Sequence, residues 1–381
     1  MESPNRTYLP AIDHLRAFAA LLIIFYHSYH LLYPRLAFHR AQQLTDWVYT
    51  KSFLLACLLE GHTAVSLFLV ISGFILTYGS LGRPIFYRGF YWNRLLRLFP
   101  LFFAFLITGA NAFRPQFEFG AFLTWAFQFG YLTAGPIYGV WTGVAWSISL
   151  EAHLYLLFPA LRHYLDRGEW WPVLRLSLIG WVARLAAVGL GADVINLTYS
   201  TALGRIDQFF AGAVLAWILH RHGLPGRLLA MAFPLSALAA AGMLYGFHRS
   251  GGYLEHQSWR LVWPTIEALV WSAFVACYLG FANYVPRLVD RPLRFLGRIS
   301  YSLYLVHIIV IWIFADKHWY FAFAGLSVSQ NIFLSTFVLI LPVVIPVSAL
   351  TYASIEKPFL AMRWRYRVGD AKEEAVCAAA S

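Results

Sequence analysis

Charge is scarce in this chain: 12% of its 381 residues are Asp, Glu, Lys or Arg, against 60% hydrophobic. A soluble domain is nearer half apolar and a quarter charged, so a water-soluble globule is excluded. Acidic residues are the scarcer kind, 18 against 29 Lys and Arg, and the formal net charge is +11. Such a balance can signal nucleic acid, but the basic residues here sit in short clusters between apolar runs. That is the positive-inside distribution of a membrane protein, and no nucleic-acid partner is expected. Cysteine is rarer still. Cys57, Cys277 and Cys377 have no metal-ligand spacing, and three of them, two in apolar runs, make no disulfide framework. Cys377 also stands one residue too far from the end for a prenylation box. No small-residue cleavage site follows the first apolar run, so that run is expected to remain as a span. Pro- or Ser-rich linkers are missing too. One transmembrane domain is therefore expected over residues 1–358, with 359–381 a short polar cytoplasmic tail.

Long apolar runs are what the chain has in quantity. Segments long enough to span, at ~20 residues each, fall near 13–33, 53–79, 89–110, 141–161, 172–191, 206–222, 226–247, 261–282, 299–316 and 331–355. The expected fold is all-α: a polytopic bundle of about ten transmembrane helices. An eleventh run, 117–133, is shorter and rich in aromatics, and is read as re-entrant or interfacial. With ten spans and a cytoplasmic N-terminus, inside segments carry about twice the Lys and Arg of outside ones. Eleven spans with an outside N-terminus satisfy the same rule about as well.

The stretch "AIDHLRAFAALLIIFYHSYH", residues 11–30, is apolar enough to enter a bilayer yet carries Asp13, His14, Arg16, His27 and His30. An ionisable group in a span costs roughly 2.5–3.5 kcal/mol on insertion scales, so it usually faces a protein interior or a wet cavity. Arg16 and His27 are eleven residues apart, which puts them on one helix face about 16 Å apart along the axis. Asp13 lies a turn before Arg16 and His30 a turn after His27, so a polar stripe runs deep into the membrane. The plainer alternative is that both ends of the stripe are interfacial. In "GHTAVSLFLVISGFIL", 61–76, small residues allow close helix packing, which accounts for most of that segment. "FYWNRLLRLFP", 90–100, sets Arg94 and Arg97 one turn apart, either snorkelling to the surface or gripping a phosphate with planar donor forks. "WSISLEAHLYLLFP", 146–159, buries Glu151, which needs a partner or a proton there. "GRISYSLYLVH", 297–307, aligns Ser300, Tyr304 and His307 on one face, as interhelical glue or as substrate-binding groups. Asp207 and Glu356 fall at span ends, where anchoring is the expected role. On these residues alone, a transporter using His, Glu and Arg as a proton relay and an enzyme are about equally supported.

Taken in order, "DHLRAFAALLIIFYH", "SLFLVISGFIL", "NRLLRLFP", "WSISLEAHLYLLFP", "LGRISYSLYLVH" and "IEKP" resemble the acyltransferase family 3 of integral membrane proteins, over nearly the whole chain. The resemblance implies about ten spans, a cytoplasmic N-terminus and a place in the bacterial cytoplasmic (inner) membrane. It implies transfer of an acyl group, often acetyl, from cytoplasmic acyl-CoA to a hydroxyl of a surface or exported glycan or glycosylated product. The implied partners are acyl-CoA, a carbohydrate-type acceptor and membrane lipid, with no metal and no bound cofactor. The family's arginine, ten residues, then histidine falls on Arg16 and His27, its arginine pair on Arg94 and Arg97, and its glutamate on Glu151. Many relatives have two adjacent acids where this chain has Glu151 and Ala152. A histidine of ordinary pKa near 6.5 suits proton removal from an acceptor hydroxyl, and His27 is the expected base. Arg16, Arg94 and Arg97 would hold CoA phosphates or stabilise charge nearer the reaction. Glu151 would orient a histidine or bind acceptor hydroxyls.

Overall fold

The computed structural model describes residues 8–43, 46–127, 143–223, 225–254 and 256–367. All ten predicted runs fall on helices. The first, α1 (Pro10–Phe38), begins with Pro at its first turn, where the missing N–H is not needed. It has Asp13 in the first turn and Arg35 in the last, the charge order the helix dipole favours. The second run is a short helix α2 (Phe53–Leu59) leading through a 3₁₀ turn into α3 (Ala64–Tyr78). α4 (Tyr87–Ala112) and the short α5 (Phe119–Ala126) follow, then α6 (Trp146–Asp166) and α7 (Trp171–Gly189). The run near 206–222 is α8 (Val194–Ser200) plus α9 (Ala202–His222); α10 (Gly226–Arg249) and α11 (Trp263–Phe281) come next. α12 (Arg287–Arg298) turns through 76° into α13 (Ser300–Asp316). The last helix, α14 (Val328–Ala361), carries π turns at Thr336–Ile340 and Tyr352–Glu356.

Among the described residues, eight helices are long and apolar enough to cross a membrane, or nine if the bent α12–α13 pair is one span. α6 is 21 residues long but carries Glu151, His153, Arg162 and His163, which lower its apolarity. The chain is a multi-pass integral membrane protein with a helical core. In the aromatic run 117–133, the eight-residue α5 is too short to cross, and 128–133 lies outside the described residues.

Two glycine contacts set the helix positions that matter here. On α3 and α9 the close approach is reciprocal: a Cβ on Gly73 would stand 1.9 Å from the Phe209 carbonyl oxygen, and one on Gly212 would stand 2.0 Å from that of Val70. This is the small-residue packing expected of the 61–76 segment. At the α12–α13 bend, a Cβ on Gly297 would stand 1.9 Å from the Asp13 carbonyl oxygen. The bend is thereby pressed against the start of α1. The chain after Pro358 does not leave the bundle at once. Asn93 on α4, fully buried, donates from Nδ2 to the Trp364 carbonyl at 2.8 Å and accepts from its N–H at 2.9 Å. The Phe86 N–H donates to the Tyr366 carbonyl at 2.7 Å. Residues 362–367 are thus folded back along α4, while 368–381 lie outside the described residues.

Candidate active site

A cavity of about 300 Å³ opens among α1, α3, α4, α6, the α12–α13 bend and the returning segment after α14. Along α3 it is lined from Val65 to Leu76, about 16 Å of helix at 1.5 Å per residue. Six arginines face it, Arg16, Arg94, Arg97, Arg294, Arg298 and Arg363, against the carboxylates Asp13 and Glu151. Val65, Phe68, Leu69 and Ile148 give part of its wall an apolar lining. Such a basic recess with low-dielectric walls concentrates anions.

The arginines are not equivalent. Arg97 donates to Glu356 at 2.7 Å, and Glu356, nearly fully buried, also accepts from Ser302 at 2.5 Å. This pair ties α4 to α13 and to the second π turn of α14, so Glu356 anchors a span end as expected. Asp207 does likewise with Arg184 at 2.7 Å. Arg94 makes no ion pair among the described residues; its guanidinium lies over Phe90 and Tyr155, and its buried Nε has no hydrogen-bond partner. Among the described residues, the ion pair of Arg16 is a long 3.9 Å contact with Asp13, which Tyr8 holds by a 2.8 Å hydrogen bond. Arg363 also has a buried, unpartnered Nε. Burial, with the Arg94 and Arg97 guanidiniums nearby, pushes its pKa down to about 9. Positive charge is therefore crowded at this end of the cavity, and an anion would relieve it.

Glu151 lines the same cavity, and its Oε1 accepts from Ser72 at 2.6 Å and from Tyr155. Those two donors, on α3 and one turn along α6, are what a buried carboxylate needs. Its partner groups are hydroxyls rather than a histidine. Ser300 and Tyr304 also line the cavity. Tyr304 Oη shares a 2.7 Å hydrogen bond with Ser147 and donates to the Val144 carbonyl at 3.1 Å.

His27 and His307 lie just beyond. Neither lines the cavity; the Tyr304 ring is 5.8 Å from that of His307, one turn along α13. His307 is fully buried, and its Nδ1 is 3.0 Å from the Leu303 carbonyl. A carbonyl only accepts, so Nδ1 carries the hydrogen and Nε2 of the neutral ring carries a lone pair. His27 Nδ1 is 2.9 Å from that Nε2 and must therefore donate to it. This leaves Nε2 of the partly exposed His27 as a free lone pair, the atom a base uses.

The structure thus gathers Arg16, Arg94, Arg97, Glu151, Ser300 and Tyr304 around one cavity, with His27 and His307 paired at its side. Sequence reasoning missed Arg363, Arg294 and Arg298 as cavity residues, reading them only as topogenic charge. It also missed Ser72, Ser147 and Tyr155. Tyr155 had a signal, since it follows Glu151 by one turn within an apolar run. Arg363 had none, because its place depends on Asn93.

Comparison with known proteins identifies the family of the chain. The family profile described as "Acyltransferase domain" matches residues 9–353. The peptidoglycan O-acetyltransferase OatA of Listeria monocytogenes is 23% identical over 348 residues, covering 81% of this chain and 50% of that protein. The O-acetyltransferase OatA of Staphylococcus aureus is 23% identical over 348 residues, covering 84% of this chain and 53% of that one. This chain thus spans about half the length of the OatA proteins. No solved structure matches it. With that profile covering most of its length, and helices fit to cross a membrane, the chain belongs to the acyltransferase family, as a multi-pass membrane member.

Proposed function

We propose that the protein moves an acyl group, acetyl by analogy with its relatives' names, from acyl-CoA to a hydroxyl of a glycan or glycosylated product. The observation that carries this is an arginine-crowded cavity ending one helical turn from a histidine pair whose hydrogens are directed. The CoA phosphates would lie against Arg94, Arg363 and Arg16, three of the cavity arginines without a close carboxylate among the described residues. Arg97 is committed to Glu356 and would act mainly by its field. The thioester arm would follow the apolar wall of α3 toward Tyr304. There His27 Nε2 takes the acceptor hydroxyl's proton as its oxygen attacks the thioester carbonyl. The C–S bond breaks, and the proton passes to the departing CoA thiolate. His307 is a positioning residue: it holds His27 Nδ1–H and steadies the imidazolium that forms. Tyr304, Ser147 and Ser300 supply hydroxyls near the carbonyl, and Glu151 holds Ser72 and Tyr155 in place beside the arginines. In this reading the cavity opens to the cytoplasm, the N-terminus is cytoplasmic, and the membrane is the bacterial inner membrane.

The test is thiol release from acetyl-CoA by membranes holding wild type or His27→Ala, with surface glycans extracted from the expressing cells as acceptor. Release that needs both His27 and the glycan is expected. Release unaffected by His27→Ala would remove His27 as the base. No release by folded protein that fails to bind acetyl-CoA would favour the proton-relay transporter.

A further inference from the structure

On the far side of His27 from the cavity's arginines, side chains from five parts of the chain meet in a second polar cluster. Tyr26 and His30 come from α1, Trp47 from the segment before α2, His62 from the turn before α3, Tyr199 from α8 and Tyr253 from the segment after α10. Ring centroids are 4.4 Å apart for Tyr26 and His30, 4.7 Å for His30 and Trp47, 5.3 Å for His62 and Tyr199, and 5.7 Å for Trp47 and Tyr253. Tyr26, Trp47, Tyr199 and Tyr253 are partly exposed, as is His27, whose ring lies 4.8 Å from that of Tyr26. Below them His30 and His62 are buried, at 4% and 2% exposure.

Among the described residues, three buried polar atoms here have no hydrogen-bond partner: His30 Nε2, His62 Nδ1 and Trp47 Nε1. Their neighbours dictate what each can accept or donate. His30 Nδ1 lies 2.9 Å from the Tyr26 carbonyl and so carries that ring's hydrogen. His62 Nε2 lies 2.9 Å from Glu60, a fully buried carboxylate that also takes His248 Nδ1 at 2.8 Å, so it donates. In the neutral rings both orphan nitrogens are acceptors, and the Trp47 indole N–H is a donor. A native protein seldom leaves three such atoms unsatisfied in one place. Gly252, at φ +63°, passes so close that a Cβ would stand 2.7 Å from Trp47 Nε1.

We infer that this cluster is the acceptor subsite, and that it takes a polyhydroxylated ring, a sugar, whose hydroxyls lie beside the one being acylated. A hydroxyl both donates and accepts, so one group can give its hydrogen to a histidine nitrogen and take one from Trp47. The tyrosine and tryptophan faces meet the C–H face of a sugar ring. This inference rests on the acyltransfer reading above and assigns its acceptor side.

The test uses the full chain in lipid nanodiscs with acetyl-CoA and a panel of soluble oligosaccharides released from bacterial cell walls and capsules. Trp47→Phe keeps the ring and removes only the unpartnered N–H; His62→Phe removes an orphan nitrogen. Expected is a KM for the accepted oligosaccharide raised about tenfold in each, with the KM for acetyl-CoA moved less than twofold. The Trp47 variant guards against misfolding of the His62 variant, which also loses its bond to Glu60. Unchanged acceptor KM in a properly assembled Trp47→Phe would overturn the inference and leave the orphan atoms to ordered water. So would a wild type that binds and slowly hydrolyses acetyl-CoA yet acylates no oligosaccharide. A wild type that neither binds nor consumes acetyl-CoA fails the acyltransfer reading instead, a distinguishable result.

Discussion

Replacing His307 by Phe removes the nitrogen that accepts from His27 Nδ1–H while keeping a ring of similar size in the fully buried site. The expected result is a kcat lower by about 10²-fold, the lower end of what positioned acid–base catalysis contributes, with the KM for acyl-CoA nearly unchanged. His307→Gln offers an amide oxygen that can accept the same hydrogen, so part of the rate should return. Equal losses in both variants would show that packing, not proton direction, is what His307 provides. A second prediction belongs to Arg363. Its pKa is pushed down to about 9 by burial and by Arg94 and Arg97. Even so, a guanidinium stays protonated at working pH, so this crowding of like charge is relieved by a bound anion and not by loss of the proton. An Arg363→Gln variant should show a KM for acyl-CoA raised about tenfold, near the worth of one charge-assisted hydrogen bond, with kcat nearly unchanged. An unchanged KM would place the donor phosphates elsewhere.

Among the elements, the α12–α13 bend depends on one glycine lying against the Asp13 carbonyl at the start of α1. Gly297→Val must push these segments apart, at a cost of roughly 1–3 kcal/mol by analogy with overpacked cores. Arg294, Arg298 and Ser300 ride on that bend, so thermal stability and donor affinity should fall together. Loss of stability with an unchanged KM would mean that the bend does not position the donor. The returning segment gives a complementary case. Asn93→Leu removes both hydrogen bonds to Trp364, which frees Arg363 without touching it. It should raise the donor KM as Arg363→Gln does, and the two changes together should add little, since both remove the same contact.

For the molecule as a whole, the proposed orientation puts the α3–α4 connection in the cytoplasm and the α1–α2 connection outside. With the native cysteines replaced, Arg83→Cys should react with an impermeant thiol reagent only from the cytoplasmic side, and Gln42→Cys only from the outside. The reverse labelling would put the arginine cavity on the wrong side for a cytoplasmic donor. How much of all this the sequence carried divides by range. Apolar runs of about 20 residues mark their helices wherever they occur, because a bilayer leaves backbone groups no other partner than their own chain. The stripe from Arg16 to His27 was legible for a similar reason, since helical periodicity is a property of neighbours along the chain. Composition and motif order likewise carried the membrane setting and the family. Helix packing decided the rest. Nothing local to His27 announces a partner 280 positions later, and nothing in the residues after Pro358 says that Asn93 will draw Arg363 beside Arg94. Ser72 read as a small packing residue until α6 brought Glu151 within 2.6 Å of it. Such contacts depend on which faces meet when the helices assemble, and that is settled by close approaches such as those at Gly73, Gly212 and Gly297, made between segments far apart in the chain.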